Sequence, residues 1–166
     1  VIISHGAVIG NNNNRHLFLN EDINFFDDEI VRVGKSNGLF GLQLDERRRT
    51  SPGNYNLHKS HGLERRKVLF HSSFLVWKQI QHIAELLDSL GMFAWGIQSI
   101  GSDYDGVVNP INGYWSAENL PTLEDYLLKH AYNYMNTDGK QLKQPFNKID
   151  PEEIISRMMG DNAYEF

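Results

Sequence analysis

Two polar residues in this sequence each close a strand-like run. His5 follows Val1-Ile2-Ile3-Ser4, and Asp103 follows Ile97 to Ile100 through Gly101-Ser102. In parallel α/β folds, ligands gather at the carboxyl ends of strands. A neutral imidazole and a carboxylate are ligand types that hold zinc while leaving a position for water. Bound zinc lowers the pKa of that water to about 7, and a nearby carboxylate can accept its proton during attack on a carbonyl. Each residue also has a plainer reading. His5 alone reads as a hydrogen-bonded histidine closing a strand. Asp103 alone reads as a turn former in an Asp-x-Asp-Gly loop, or as a calcium-type ligand.

Other candidates carry less. His58, His61 and His71 lie in the polar stretch from Asp45 to Ser73, beside Arg47-Arg48-Arg49. The histidines could chelate a metal and the arginines could clamp an anion, but solvated surface is the simpler reading of both. The sequence has no cysteine, which removes disulfides, thiolate zinc sites and cysteine nucleophiles together. Gly101 to Gly106 lacks the spacing and the Lys-Ser/Thr pair of a phosphate loop. A net charge of −5 and a pI near 5.8 disfavour a nucleic-acid partner. No apolar run approaches the roughly 20 residues that span a bilayer, so no membrane span is expected.

Periodicity supplies the scaffold around His5 and Asp103. Val1 to Ile3 reads as a buried strand, and the asparagine tract from Asn11 to Asn14 as a polar connection. Ile23, Phe26, Ile30 and Val33 share one helical stripe, with Asn20 or Asp22 as cap and Gly34 or Ser36-Asn37-Gly38 as stop. Phe26 and, on the next helix, Trp77 read as core. Leu39 to Leu44 is a second strand, and Asp45 to Ser73 a long functional loop. A helical period resumes from Phe74 and stops at Gly91. Ala94 to Ile100 is a third strand, Pro121 to about Met135 an amphipathic helix, and Asp150-Pro151-Glu152-Glu153 opens a last one. Strands alternating with crossover-length helices predict a parallel sheet in a single α/β unit spanning 1–166.

Together these features resemble a known family. Gly101-Ser102-Asp103-Tyr104-Asp105-Gly106 is similar to the glycine-aspartate motif on the last barrel strand of the membrane (renal) dipeptidases, zinc peptidases of the amidohydrolase type. Val1-Ile2-Ile3-Ser4-His5 resembles their strand ending in Ser-His. Asn24 to Ile30 resembles their Asn-Val-Pro-Asp-Asp helix start, and Gly160-Asp161-Asn162-Ala163 their Gly-x-Asn-x near the C-terminus. The resemblance implies a (β/α)8 barrel with a dinuclear zinc site that hydrolyses dipeptides. It carries over His5 as a zinc ligand, Asp103 as the catalytic carboxylate, and Arg15 and Asp105 as substrate-binding residues.

The family's His-x-Asp pair, bridging glutamate and other ligating histidine have no counterpart here. The Asp45–Ser73 stretch is also longer than the family pattern. The expectation is therefore the C-terminal part of such a barrel, with strands near 1–5, 39–44 and 94–101. Three strands leave an edge and a sheet face to cover. A missing N-terminal half-barrel or a homo-oligomer is expected to do so. The isolated chain is expected to bind zinc weakly and to lack peptidase activity. The alternatives are a non-catalytic barrel homologue that binds or scaffolds, and a hydrolase of lactones or phosphoesters. Nothing in the sequence indicates a cellular location.

Overall fold

Alternation with period two sorts the central strand into two faces. Phe40 and Leu42 are fully buried on one face, and Gly41 lies on the other. The computed structural model describes residues 1–10, 18–20, 23–46, 64–137 and 142–166. Among them, strands β1 (Ile2–Gly6), β2 (Leu39–Leu42) and β3 (Gln98–Ile100) form one parallel sheet in the order β1-β2-β3. The strand–helix alternation is thus present as a small mixed α/β fold.

Helix α1 (Asp27–Lys35) turns Ile30 and Val33 into the core and packs on β2 and on α2 (Arg65–Ser89). Helix α2 buries Val76, Ile80, Ile83 and Leu87. Helix α3 (Leu120–Asn136) packs on α2 through Leu123, Leu127 and Ala131. Each fully buried Val, Leu or Ile side chain among these contributes about 1.5–3 kcal/mol. The chain then runs through α4 (Pro151–Ser156), a π turn (Arg157–Asp161) and α5 (Asn162–Glu165). Asp150 stands at the N-cap of α4, where its carbonyl accepts Ile154 N–H, Pro151 occupies the first turn, and Gly91, at φ +72°, follows the end of α2. No helix among the described residues is long and apolar enough to cross a membrane.

Several expected boundaries move, each for a local reason. Val1 and Ile2 are 64% and 60% exposed rather than buried, because among the described residues β1 packs chiefly on β2, whereas β3 is also covered by the C-terminal turns. Helix α1 starts at Asp27, capped by Phe26, whose N–H donates to Glu29 Oε2 at 2.9 Å. Ile23 and Phe26 precede the helix and are exposed, so Phe26 is not core; Trp77 is. Helix α2 begins nine residues before Phe74, and its first turns carry Arg65, Arg66 and Lys67 outward. Their polarity reads as loop in sequence, yet Leu69, Ser72 and Ser73 of the same turns are buried. Residues 94–97 form a turn rather than strand. There, Asn147 takes Ala94 N–H on its Oδ1 (2.9 Å), and its carbonyl takes Trp95 Nε1–H (2.8 Å).

Candidate active site

The carboxyl ends of the three strands are knitted together before any side chain is considered. Gln43 N–H donates to Gly6 carbonyl at 2.9 Å, and Gly101 N–H to Leu42 carbonyl at 3.0 Å. Just beyond, Glu46 N–H reaches Asn109 carbonyl and Ile111 N–H reaches Leu44 carbonyl. The loop after β3 is thereby fastened over the end of β2.

Register then aims His5. Ile3 pairs with Phe40 and Gly6 with Leu42, so β1 spends three steps where β2 spends two. The extra residue is a bulge at Ser4-His5, a device that redirects a side chain at a sheet edge. The Ser4 carbonyl presses over the sheet, so that a Cβ on Gly101 would lie 2.0 Å from it and one on Gly41 2.2 Å. Only glycine fits at either place. Ser4 Oγ sits 3.0 Å from His5 Nδ1, leaving Nε2 directed outward.

Asp103 meets that nitrogen. His5 Nε2 and Asp103 Oδ2 are 3.9 Å apart, with side chains 44% and 25% exposed, so the pair is reachable from solvent. Asp103 is held in the left-handed region at φ +57°, which costs a non-glycine residue energy. Its carbonyl accepts Gly106 N–H (2.9 Å) and Val107 N–H (2.7 Å), closing the turn that fixes it. Gln43 Nε2 donates to Oδ2 at 2.8 Å. Sequence inspection overlooks Gln43, because one amide in an apolar run looks like strand filler.

The other expected site residues stand apart. Asp105 is exposed in the same turn and makes no ion pair or hydrogen bond among the described residues. Arg15, His58, His61, Arg47 to Arg49 and the asparagine tract lie outside the described residues. His71 belongs to α2 rather than to a loop. Asn162 of the Gly160–Ala163 motif is buried and gives Nδ2 to the Trp95 and Gln98 carbonyls, both at 2.7 Å, tying the C-terminal turns to β3. Asp27 of the Asn24–Ile30 motif receives His82 Nε2 at 2.7 Å and links α1 to α2.

A second Ser–His contact has no access to solvent. Ser73 Oγ donates to Phe70 carbonyl at 2.9 Å and lies 2.9 Å from His130 Nε2, with both residues buried. Burial holds His130 down to about 4, against the upward pull of the Phe70 carbonyl. Two cavities lie elsewhere. One of about 280 Å³ at the amino ends of β2 and β3 is lined by Gly38, Gly96 and Phe166, among others. One of about 420 Å³ adjoins Arg65, Leu69 and Trp115.

A tetrahedral zinc sets its donors about 3.4 Å apart, so His5 Nε2 and Asp103 Oδ2, at 3.9 Å, stand wider than a shared ion would hold them. A catalytic zinc takes about three protein ligands. No group of three or more candidate ligands occurs among the described residues, so the donor set here is partial. The chain matches no protein-family model, no curated protein and no solved structure.

Proposed function

We propose that this chain forms the carboxyl-terminal strands of a (β/α)8 metal-dependent amidohydrolase that cleaves an amide bond in a small, dipeptide-like substrate. The observation that carries this reading is the convergence of His5 and Asp103 at 3.9 Å, at the carboxyl side of one parallel sheet. Further support comes from the glycine-lined face of the sheet at Gly41 and Gly101, which suits the crowded interior of a barrel. The sequence resemblance described above supplies the reaction class.

In this reading His5 Nε2 is one ligand, and the remaining ligands come from outside the described residues, in a preceding half-barrel or a second copy of the chain. Zinc, when bound, supplies a hydroxide nucleophile near neutral pH. Asp103 takes the proton on its carboxylate and returns it to the leaving amine. The Asp103 backbone turn holds that carboxylate still between the two transfers. Asp105, exposed in the same turn, contacts the substrate.

The test is zinc content and dipeptide hydrolysis, measured on this chain and on the whole protein that carries it. Stoichiometric zinc and turnover are expected in the whole protein, and neither in residues 1–166 alone. In the whole protein His5→Ala loses zinc and Asp103→Ala loses turnover. An unchanged rate in Asp103→Ala removes the proton carrier and the mechanism with it.

A second reading follows from the partial donor set. A barrel that lacks further ligands is a binding or scaffold domain, and it shows neither zinc nor turnover in any form of the protein.

A further inference from the structure

Asp103 is constrained from three directions, and one of them is the side chain of Gln43. Its backbone is pinned by the left-handed turn, where its carbonyl accepts two N–H groups. On one side of the carboxylate, a Cβ on Gly106 would lie 2.7 Å from Oδ1, so the turn leaves room for that oxygen and nothing more. On the other side stands Gln43, buried directly after β2, with Nε2 2.8 Å from Oδ2. Gln43 is itself fixed, since its own N–H is bonded to the Gly6 carbonyl. Alternation along β2 places it on the same face as Gly41, the face over which the Ser4 carbonyl presses.

The chemistry of the donor matters. A lysine or arginine would orient Asp103 equally well, but it would add a positive charge beside His5 and repel a cation there. A neutral amide orients the carboxylate without doing so. A carboxylate free to rotate about χ1 would swing its oxygens by well over 1 Å, and a displacement of about 1 Å can cost on the order of 100-fold in rate.

We propose that Gln43 is the positioning residue of this site, holding Oδ2 of Asp103 so that the carboxylate faces His5. The kinetic part rests on the reading of Asp103 as proton acceptor; the geometric part does not.

The experiment uses Gln43→Met, which keeps the volume and removes the donor. Gln43→Glu serves as a second variant, keeping the shape and setting a carboxylate against Asp103. Both are compared with wild type in the whole protein by crystallography, zinc content and steady-state dipeptide hydrolysis. In Gln43→Met the Asp103 carboxylate moves by more than about 1 Å or splits into two conformers. The same variant loses about 10- to 100-fold in kcat, with KM and zinc content within about twofold of wild type. Gln43→Glu loses more. A carboxylate that stays in place in both variants overturns the proposal, whatever the rates. A displaced carboxylate in a protein that hydrolyses nothing, wild type included, upholds the positioning and overturns the hydrolase reading.

Discussion

Two aspartates lie at opposite ends of β3, and each is held by a carboxamide. Asp88, at the end of α2 on the amino side, accepts Lys143 N–H (2.7 Å), Gln144 N–H (3.0 Å) and Asn147 Nδ2 (2.9 Å), and is 3% exposed. Asp103, on the carboxyl side, accepts Gln43 Nε2 at 2.8 Å and keeps a quarter of its side chain in solvent. The amide contacts are nearly equal in length. What differs is what remains after them. Asp88 has both oxygens committed and no route to a ligand, so it acts as a clasp for the 142–147 segment. Asp103 has an accessible carboxylate, a left-handed backbone and an imidazole facing it. Residual valence and exposure, rather than hydrogen bonding as such, separate a site from a fastening.

Asp103 and Asp88 should respond to substitution in opposite ways. On the proposed hydrolase reading, Asp103→Ala in the whole protein lowers kcat by about 10³-fold, equivalent to about 4 kcal/mol of barrier. Its midpoint of thermal unfolding should fall by only a few degrees, because alanine keeps a Cβ at the left-handed position and loses the one Gln43 contact. A drop of many degrees would place Asp103 with the fastenings instead. The opposite pattern is expected at Asn147, which bonds Asp88, the Met92 carbonyl and Ala94 N–H at once. Asn147→Ala strands those buried groups and should cost about 3 kcal/mol in urea unfolding, with kcat per folded molecule within about twofold.

Both aspartates are visible in the sequence, but their difference is not. His5 and Asp103 can be found because each closes a strand-like run, and the helices because Ile30–Val33, Ile80–Ile83–Leu87 and Leu123–Leu127–Ala131 repeat at helical spacing. The bulge that aims His5 is a matter of register, and register is a property of the pair β1–β2, not of either strand. Gln43 is 60 residues from the carboxylate it holds, and Asn147 lies 53 from the backbone it satisfies at Ala94. No local pattern encodes such a contact. The 94–97 end of the expected strand failed for that reason: the Ala94 N–H answers to the side chain of Asn147, and the Trp95 indole to its carbonyl, on a distant turn. The first two turns of α2 were hidden differently, by cationic residues on the outer face of a helix whose inner face is buried.

His130, between α2 and α3, is buried like Asp88 yet titrates in a different window. Burial keeps it neutral, with a pKa near 4 against an ordinary 6.5, and His71, Lys129 and Lys78 push in the same direction. The unfolded chain therefore takes up a proton near pH 6.5 that the fold refuses until about pH 4. Over that interval the unfolded state binds more protons, so stability falls as pH falls, and it levels off below. Between pH 6.5 and 5 the loss is about 2 kcal/mol. His130→Gln keeps a partner for Ser73 and removes the titration, so its urea midpoint should change much less across that range. An identical slope in both proteins would assign the effect elsewhere.

The smallest effect is the acid limb that Asp88 contributes. Burial raises its pKa, but the Asn147 amide and the Lys143 and Gln144 N–H groups outweigh burial and leave it below the ordinary 3.8. A carboxylate depressed in the fold contributes stability that is present above the unfolded pKa. That stability is lost as pH falls through the folded value. Its window thus lies below about pH 4, beneath the one that His130 dominates. Asp88→Asn should be less stable at pH 7, since an amide nitrogen now faces N–H donors, and its stability should fall less steeply below pH 4 than that of wild type. Unfolding midpoints at pH 7, 4 and 3 check both halves. If the variant keeps the full acid slope, the three donors around Asp88 serve the geometry of the 142–147 turn and not the charge of the carboxylate, and the contrast with Asp103 narrows to exposure alone.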